Sequence, residues 1–405
     1  MVWKIFQGGI KMVDKYADVT AICQELVKVK SYSGEEAQVV KIIEEIMTIF
    51  EFDEVIKDRY GNIYGIMQGS FDGPTQLYDA HIDTVVVSDA SKWSHNPFSG
   101  DLKDGKIYGR GTSDMKGALG SMLVATRDFA ALTNKQFKGR ICVAGVVHEE
   151  FFEGVASREI SKNLAPDYVV IGEASSLNVK HGQRGRGEII VETFGKPAHS
   201  ANPEHGINAV YHMSEVIQKI KDLPIETDEH LGKGILVLTD IKSSPYPGSS
   251  VVPDYCKSTW DRRLLVGDTK ESVLAPIQKV IDHLMKKIPG FIAKVSLVEE
   301  TVLCYTGEKI GDERFFPAWY YEPEENFVKN AHQALLAGGL KSKLTRYDFC
   351  TNGSHYAGEA QIKTIGFGPS EEYLAHIIDE YIEVEQLEIA VKGYQILMET
   401  LSNEH

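Results

Sequence analysis

The sequence predicts an α/β layered domain into which a smaller α+β sandwich has been inserted. Three observations lead to it. Strand-like apolar runs alternate with amphipathic helical runs through the first 180 or so residues. A neck marked by Gly182, Gly185 and Gly187 breaks that pattern, and about a hundred residues follow that mix strands with two long helical runs. Helix and strand then return from about residue 325. The expected boundaries are 1–185 for the first part of the large domain, 186–300 for the insert and 301–405 for the second part.

Helical spacing is clear at 15–29 and again at 35–50, where Val39, Ile42, Ile43, Ile46 and Met47 recur on one face. Ser33 and Glu36 have the spacing of a capping box ahead of the second helix. Strand-like stretches follow in "GNIYGIM", "TQLYDAHID", "RICVAGVVHEE" and "PDYVVIGEAS", with "MKGALGSMLVATRDFAAL" as an apolar-striped helix between them. In the insert, "EIIVETFG", "GILVLTDI", "YCKSTWDRRLL" and "FIAKVSLV" read as strands, and 206–223 and 269–288 read as helices. His205 and Asn208 stand where caps of the first of these would be. "EVEQLEIAVKGYQILMETL" closes the chain as a helix.

Composition excludes several classes of function. The chain has 405 residues, 43% hydrophobic and 25% charged, with a net charge of -15. That suits a soluble globular protein and leaves no basic stripe for nucleic acid. No apolar run approaches the roughly 18 residues that cross a bilayer, so no membrane association is expected. The five cysteines are scattered without CxxC spacing, which fits a reducing, cytoplasmic setting and gives no thiolate zinc site.

The chemistry is concentrated at strand ends. In "YDAHIDTVVV", Asp79, His81 and Asp83 recur with the strand period of two, which is unusual for an apolar strand. Comparable residues are Asp114 in "GRGTSDMKG", Glu149 and Glu150 after "ICVAGVVH", Glu173 in "VVIGEAS" and His376 in "EEYLAHIIDE". Each follows a strand-like run or a glycine turn, where the loops of an α/β sheet gather ligands. Several converging carboxylates need a compensating cation. Imidazole and carboxylate donors without thiolates suit zinc, with cobalt or manganese as alternatives. Two ions sharing a carboxylate and a hydroxide would supply a nucleophile at neutral pH, and a free carboxylate would serve as general base.

Taken together, "HIDTV", "GRGTSDMKG", "HEEFFEG", "GEAS", "KPAHSANPEHGINAV" and "AHIIDEYI" resemble the M20 metallopeptidases in order and spacing, from about residue 15 onward. That group includes acetylornithine deacetylase, succinyl-diaminopimelate desuccinylase and glutamate carboxypeptidases. The resemblance implies a mixed-sheet, zinc-peptidase-like catalytic domain with helices on both faces and an inserted lid or dimerisation domain. It implies two divalent metal ions: one on His81 and Glu173, the other on Glu150 and His376, with Asp114 bridging. Asp83 would orient His81 and Glu149 would be the general base. His199 would stabilise the oxyanion from the partner subunit of a homodimer, and Arg263 would hold the substrate carboxylate. Asn352, Gly353 and Ser354 would line the substrate pocket. The late loop "CTNGSHYAGEA" departs from the commoner "GGTDAR" wording and resembles a branch named for selenium metabolism or purine catabolism. Ser250 stands where the desuccinylases carry asparagine.

Other residues have plainer readings. Asp79 is expected to be a hydrogen-bonded structural carboxylate. His148 lacks the second histidine of HExxH, and "GRGTSDMKG" lacks the last glycine of a dinucleotide loop. His355 is divided between substrate contact and a structural role. For Arg184 and Arg186 in the glycine neck, solvation of a hinge is the plainer reading and substrate contact the sharper one. The expected activity is hydrolysis of a small N-acyl or N-carbamoyl amino acid or dipeptide. An aminopeptidase of the same fold is the neighbouring reading, and a non-catalytic metal-binding scaffold is a third of another class.

Overall fold

The computed structural model describes residues 15–404. Helix α1 (Val19–Val27) starts at Asp18, whose side chain accepts from the Ala21 N–H, and α2 is Ala37–Ile49. The capping box expected at α2 does not form, since Glu36 makes no side-chain cap bond there. Ser33 Oγ instead donates to Asp83 Oδ2 at 2.6 Å. Glu36 Oε1 accepts from the Gly34 and His148 N–H groups at 2.9 and 3.3 Å. A buried carboxylate and a buried turn are stronger partners than a helix end that water can reach.

Three strands follow: β1 (Glu54–Lys57), β2 (Ile63–Gln68) and β3 (Phe71–His81). Helix α3 (Gly117–Thr133) leads to β4 (Lys138–Val146), α4 (Ser157–Leu164), β5 (Tyr168–Ile171) and β6 (Val179–Gln183). The insert contributes β7 (Gly185–Phe194), α5 (Ala209–Lys221), β8 (Ile235–Ser244), β9 (Tyr255–Leu264), α6 (Lys270–Lys287) and β10 (Ile292–Leu297). The chain ends with β11 (Trp319–Tyr320), α7 (Asn326–Ala337), β12 (Leu344–Tyr347), β13 (Lys363–Gly366) and α8 (Val384–Ser402).

The large sheet runs β1-β2-β4-β3-β5-β13-β6-β11, with β12 beside β6. Its middle strands β4, β3, β5 and β13 are parallel, β2 and β6 join them antiparallel, and β12 lies parallel to β6, so the sheet is mixed. Helices cover both faces, and alternation along β3 shows how. Gln76 donates to the Met398 carbonyl and Tyr78 stacks edge-on against Tyr394, both in α8. Asp79, one step along, turns the opposite way and accepts from Asn352 Nδ2 and Tyr356 Oη. Asp79 is thus a satisfied structural carboxylate, pushed up to about 6 by burial even though both bonds pull it down.

In the insert, the antiparallel order β8-β9-β7-β10 carries its own core, with Ile189, Val191, Met213, Trp260 and Ile281 fully or almost fully buried. Asn208 caps α5 through the Val210 and Tyr211 N–H groups, while His205 ends a short 3-10 turn and caps nothing. Thr269 and Ser272 form the capping box of α6. Near residue 300 the chain weaves between the two cores. A hairpin of Glu299–Leu303 with Lys309–Glu313 brings Cys304 and Ile310 to the large core, and Phe315–Phe316 then returns to pair with β7.

Candidate metal centre and active site

Four parallel strands deliver the site from their carboxyl ends. His81 is the last residue of β3, Glu149 and Glu150 follow β4, Glu173 follows β5, and His376 lies in the loop after β13. Such a row of strand ends is where an open α/β sheet collects ligands. Asp114 arrives from the turn that precedes α3, in a non-helical conformation (φ -131°, ψ 88°). His376 takes φ 64°, in the left-handed region that a side chain adopts only when its surroundings hold it there.

Asp114 lies between the two imidazoles. Its Oδ1 is 2.8 Å from His81 Nε2 and its Oδ2 is 2.9 Å from His376 Nε2. Glu173 Oε1 is 3.4 Å from His81 Nε2, and Glu150 is 3.2 Å from His376 Nε2. Two triads bring donor atoms within 4.8 Å of one another: His81, Glu149 and Glu173, and His81, Asp114 and Glu150. Glu149, expected as a base, therefore also lies within donor range. That is a consequence of compactness, because a base must reach water held by the same ligands.

Asp83 is fully buried, and its contacts differ from the expected ones. His81 Nδ1 lies 2.9 Å from the main-chain carbonyl of Asp83 and 3.7 Å from its carboxylate. The carbonyl thus accepts from Nδ1–H and leaves Nε2 for a ligand. The Asp83 carboxylate is occupied elsewhere, accepting from the Glu149 and Glu150 N–H groups at 3.0 and 3.2 Å and from Ser33. It braces the turn that carries those two glutamates.

The electrostatics of the cluster favour cation binding. Burial, with the neighbouring carboxylates, pushes Glu149, Glu150 and Glu173 above the ordinary carboxylate range. Burial also acts on Asp114, but the flanking imidazoles outweigh it and hold that carboxyl well below its usual value. His376 is raised to about 10 by its bonds to Asp114 and Glu150. Burial works against the charged form of His81, yet Glu173 and Asp114 raise it as well. Glu149 Oε1 is buried with no hydrogen-bond partner among the described residues. A cluster this acidic, with an orphaned buried carboxylate oxygen and imidazole nitrogens turned inward, fits divalent cations.

Above these donors lies a cleft of about 470 Å³, lined by Glu149, Glu150, His376, Arg186, Arg263 and Phe349 among others. Arg263 thus lines the cleft. Asn352, Gly353 and Ser354 do not, because the loop turns them inward. Asn352 bonds to Asp79 and to the Gly154 N–H, Gly353 N–H bonds to Thr351, and Ser354 accepts from Gln183. Phe349 and Cys350 of the same segment face the cleft in their place. His355 is also structural, held by Ser161 and Glu359. His199 is exposed on the insert and does not line the cleft; its Nδ1 accepts from the Ala201 N–H. Of the two readings of Arg186, its place in the cleft goes against plain hinge solvation. It faces the cleft and pairs with Glu153 and Asp261.

The profile of peptidase family M20/M25/M40 matches residues 77–400. The chain belongs to that family. It is a metal-dependent amidohydrolase or peptidase. The Escherichia coli K12 protein YgeY, itself described as uncharacterized, is 33% identical over 378 residues, which span 91% of each chain. An acetylornithine deacetylase of Buchnera aphidicola is 28% identical over 315 residues, covering 76% of this chain and 75% of that one. The fold is shared with aminopeptidase PepT of Bacillus cereus, at a TM-score of 0.73 and 21% identity over 96% of this chain and 99% of that one. It is also shared with the Bacillus subtilis protein YXEP, described as a dinuclear metal binding peptidase. There the TM-score is 0.70 and the identity 12%, over 98% and 100% of the two chains. Among the described residues of this M20 chain no helix is long and apolar enough to cross a membrane.

Proposed function

We propose that this M20 protein hydrolyses an amide bond of a small N-acyl or N-carbamoyl amino acid or dipeptide, using two divalent ions. The observation that carries this reading is Asp114, whose two oxygens reach His81 and His376 at 2.8 and 2.9 Å. A carboxylate shared in that way by two imidazole-bearing half-sites is what a bridging ligand requires. His81 and Glu173 would complete one half-site, and Glu150 and His376 the other. Nitrogen and oxygen donors favour zinc, with cobalt or manganese as alternatives. When bound, such ions supply a water acidified towards neutrality and a positive pole beside the substrate carbonyl.

The rest falls to side chains. Glu149 lines the cleft with one oxygen unpartnered, and so can take a proton from water and return it to the departing nitrogen. Arg263 offers its guanidinium to the substrate carboxylate. An aminopeptidase would need a free carboxylate for the substrate ammonium. The two cleft carboxylates outside the donor set, Glu153 and Glu372, are already paired with Arg186 and Lys180, which favours the acid-recognising reading.

The same reading makes the protein a homodimer through the insert, with the partner's His199 reaching the oxyanion. Strand β8 supports it: among the described residues β8 pairs on one side only, with β9, and it exposes Ile235, Val237 and Ile241. Five free, buried cysteines support a cytoplasmic setting. The deciding experiment is a panel of N-acetyl, N-succinyl and N-carbamoyl amino acids and dipeptides, run with zinc, cobalt and manganese. Turnover should vanish with chelator and return with metal; activity that survives thorough chelation would end the proposal. Sedimentation should find a dimer.

A further inference from the structure

Strands β7 and β9 place an unusual set of charges on one face. Their register sets Arg186 directly opposite Arg263, and Glu188 directly opposite Asp261. Like charges in facing positions destabilise a strand pair unless something lies between them. Here the diagonal does so. Asp261 Oδ2 is 3.1 Å from Arg186 Nε, and Asp261 Oδ1 is 3.0 Å from Arg263 Nε. One carboxylate therefore grips both guanidiniums by their inner edges.

The two arginines line the cleft, whereas Asp261 and Glu188 do not. Arg263 forms no hydrogen bond through its terminal nitrogens among the described residues, and its side chain is 28% exposed. Arg186 spends Nη1 on Glu153 at 2.9 Å, but Nη2 has no acid closer than Glu188, at 3.6 Å. Each guanidinium thus keeps donors for an incoming anion. A carboxylate has two oxygens and accepts two such forks at once.

We propose that the substrate carboxylate is received by Arg263 and Arg186 together, held side by side on the cleft wall by Asp261. Arg186 is then a substrate-contacting residue, and Asp261 a positioning residue that acts through the two arginines. This rests on the reading of Arg263 above, and the test separates the two. The probes are the N-acyl amino acid turned over fastest in the panel and its carboxamide, and the readout is the ratio of their KM values.

Arg263→Ala tests the underlying reading: loss of preference for the acid is expected, and an unchanged ratio would remove that reading and this inference together, as would a panel with no substrate. Arg186→Gln should then cost the acid about tenfold in KM relative to the carboxamide, the scale of one charge-assisted bond. Because Glu153 would be left buried and unpaired, the double variant Arg186→Gln/Glu153→Gln is measured as well. Asp261→Asn should shift the same ratio in the same direction, which a merely structural loss would not do. An unchanged ratio in the double variant, with Arg263→Ala still effective, overturns the proposal.

Discussion

Replacing Asp83 by alanine separates two ways in which one aspartate can serve this site. Its carboxylate is fully buried and accepts three hydrogen bonds, two of them from the N–H groups of Glu149 and Glu150. Alanine leaves the buried Glu149 amide and the partly buried Glu150 amide without partners, at about 1–3 kcal/mol each. Relief of repulsion among the surrounding carboxylates offsets part of that, so about 2–4 kcal/mol is expected. The loss should be local, since His81 keeps its bond to the residue-83 carbonyl. Hydrogen exchange in metal-free protein reads it directly: the amides of Glu149 and Glu150 should exchange about 30- to 1000-fold faster, at 1.4 kcal/mol per decade. Turnover of the metal-loaded enzyme should fall about 10–100-fold, the usual scale for groups supporting a metal site. Unchanged exchange at those two amides, together with faster metal release from His81, would refute the bracing role and restore the carboxylate–imidazole one.

Glu149→Gln should lower kcat by about 10²–10⁴-fold while elemental analysis still finds the wild-type metal content; loss of metal instead would make Glu149 a ligand. Asn352→Ala should cost about 1–3 kcal/mol in a denaturant titration, because it breaks bonds to Asp79 and to the Gly154 N–H; a selective rise in KM would return it to the substrate pocket. Glu359 is held down at about 2: burial pushes it up, but its bonds to His355 and Arg158 prevail. A depressed carboxylate stabilises the fold above its unfolded value of 4.5, and the contribution is lost as pH falls from there towards 2. Metal-free Glu359→Gln should therefore differ from wild type above pH 4.5 and converge with it in acid, as followed by thermal melts.

The donors were legible because their setting is chemically odd. Carboxylates and imidazoles at the ends of valine- and isoleucine-rich strands have few structural uses, and the strand ends of a parallel sheet converge. What failed to show was direction within a loop. Asn352 and Phe349 are three residues apart, and no periodicity in "FCTNGS" tells which turns towards Asp79 and which towards the cleft. The capping-box spacing at Ser33 and Glu36 was real, but the competing acceptor, Asp83, is 50 residues away in the chain. The two readings of Arg186 could not be separated for a similar reason, because its facing neighbour Arg263 is known only from the pairing of β7 with β9. The bracing by Asp83 could have been suspected from one signal, since adjacent glutamates in a buried turn need something to accept their amides.

The passage between the two sheets has a mechanical consequence. Only Arg184 separates β6 from β7, and the return strand crosses beside it, with Phe316 paired to Arg186 and Trp319 to Gln183. A hypothetical side-chain carbon on Gly185 would lie 2.3 Å from the Phe316 carbonyl oxygen, so the two crossings touch. A laced ribbon of this kind resists sliding and stretching far better than it resists bending out of its own plane. Any swing of the smaller body should therefore follow a single arc, carrying Arg186 and Arg263 towards or away from the metal ligands as one rigid unit.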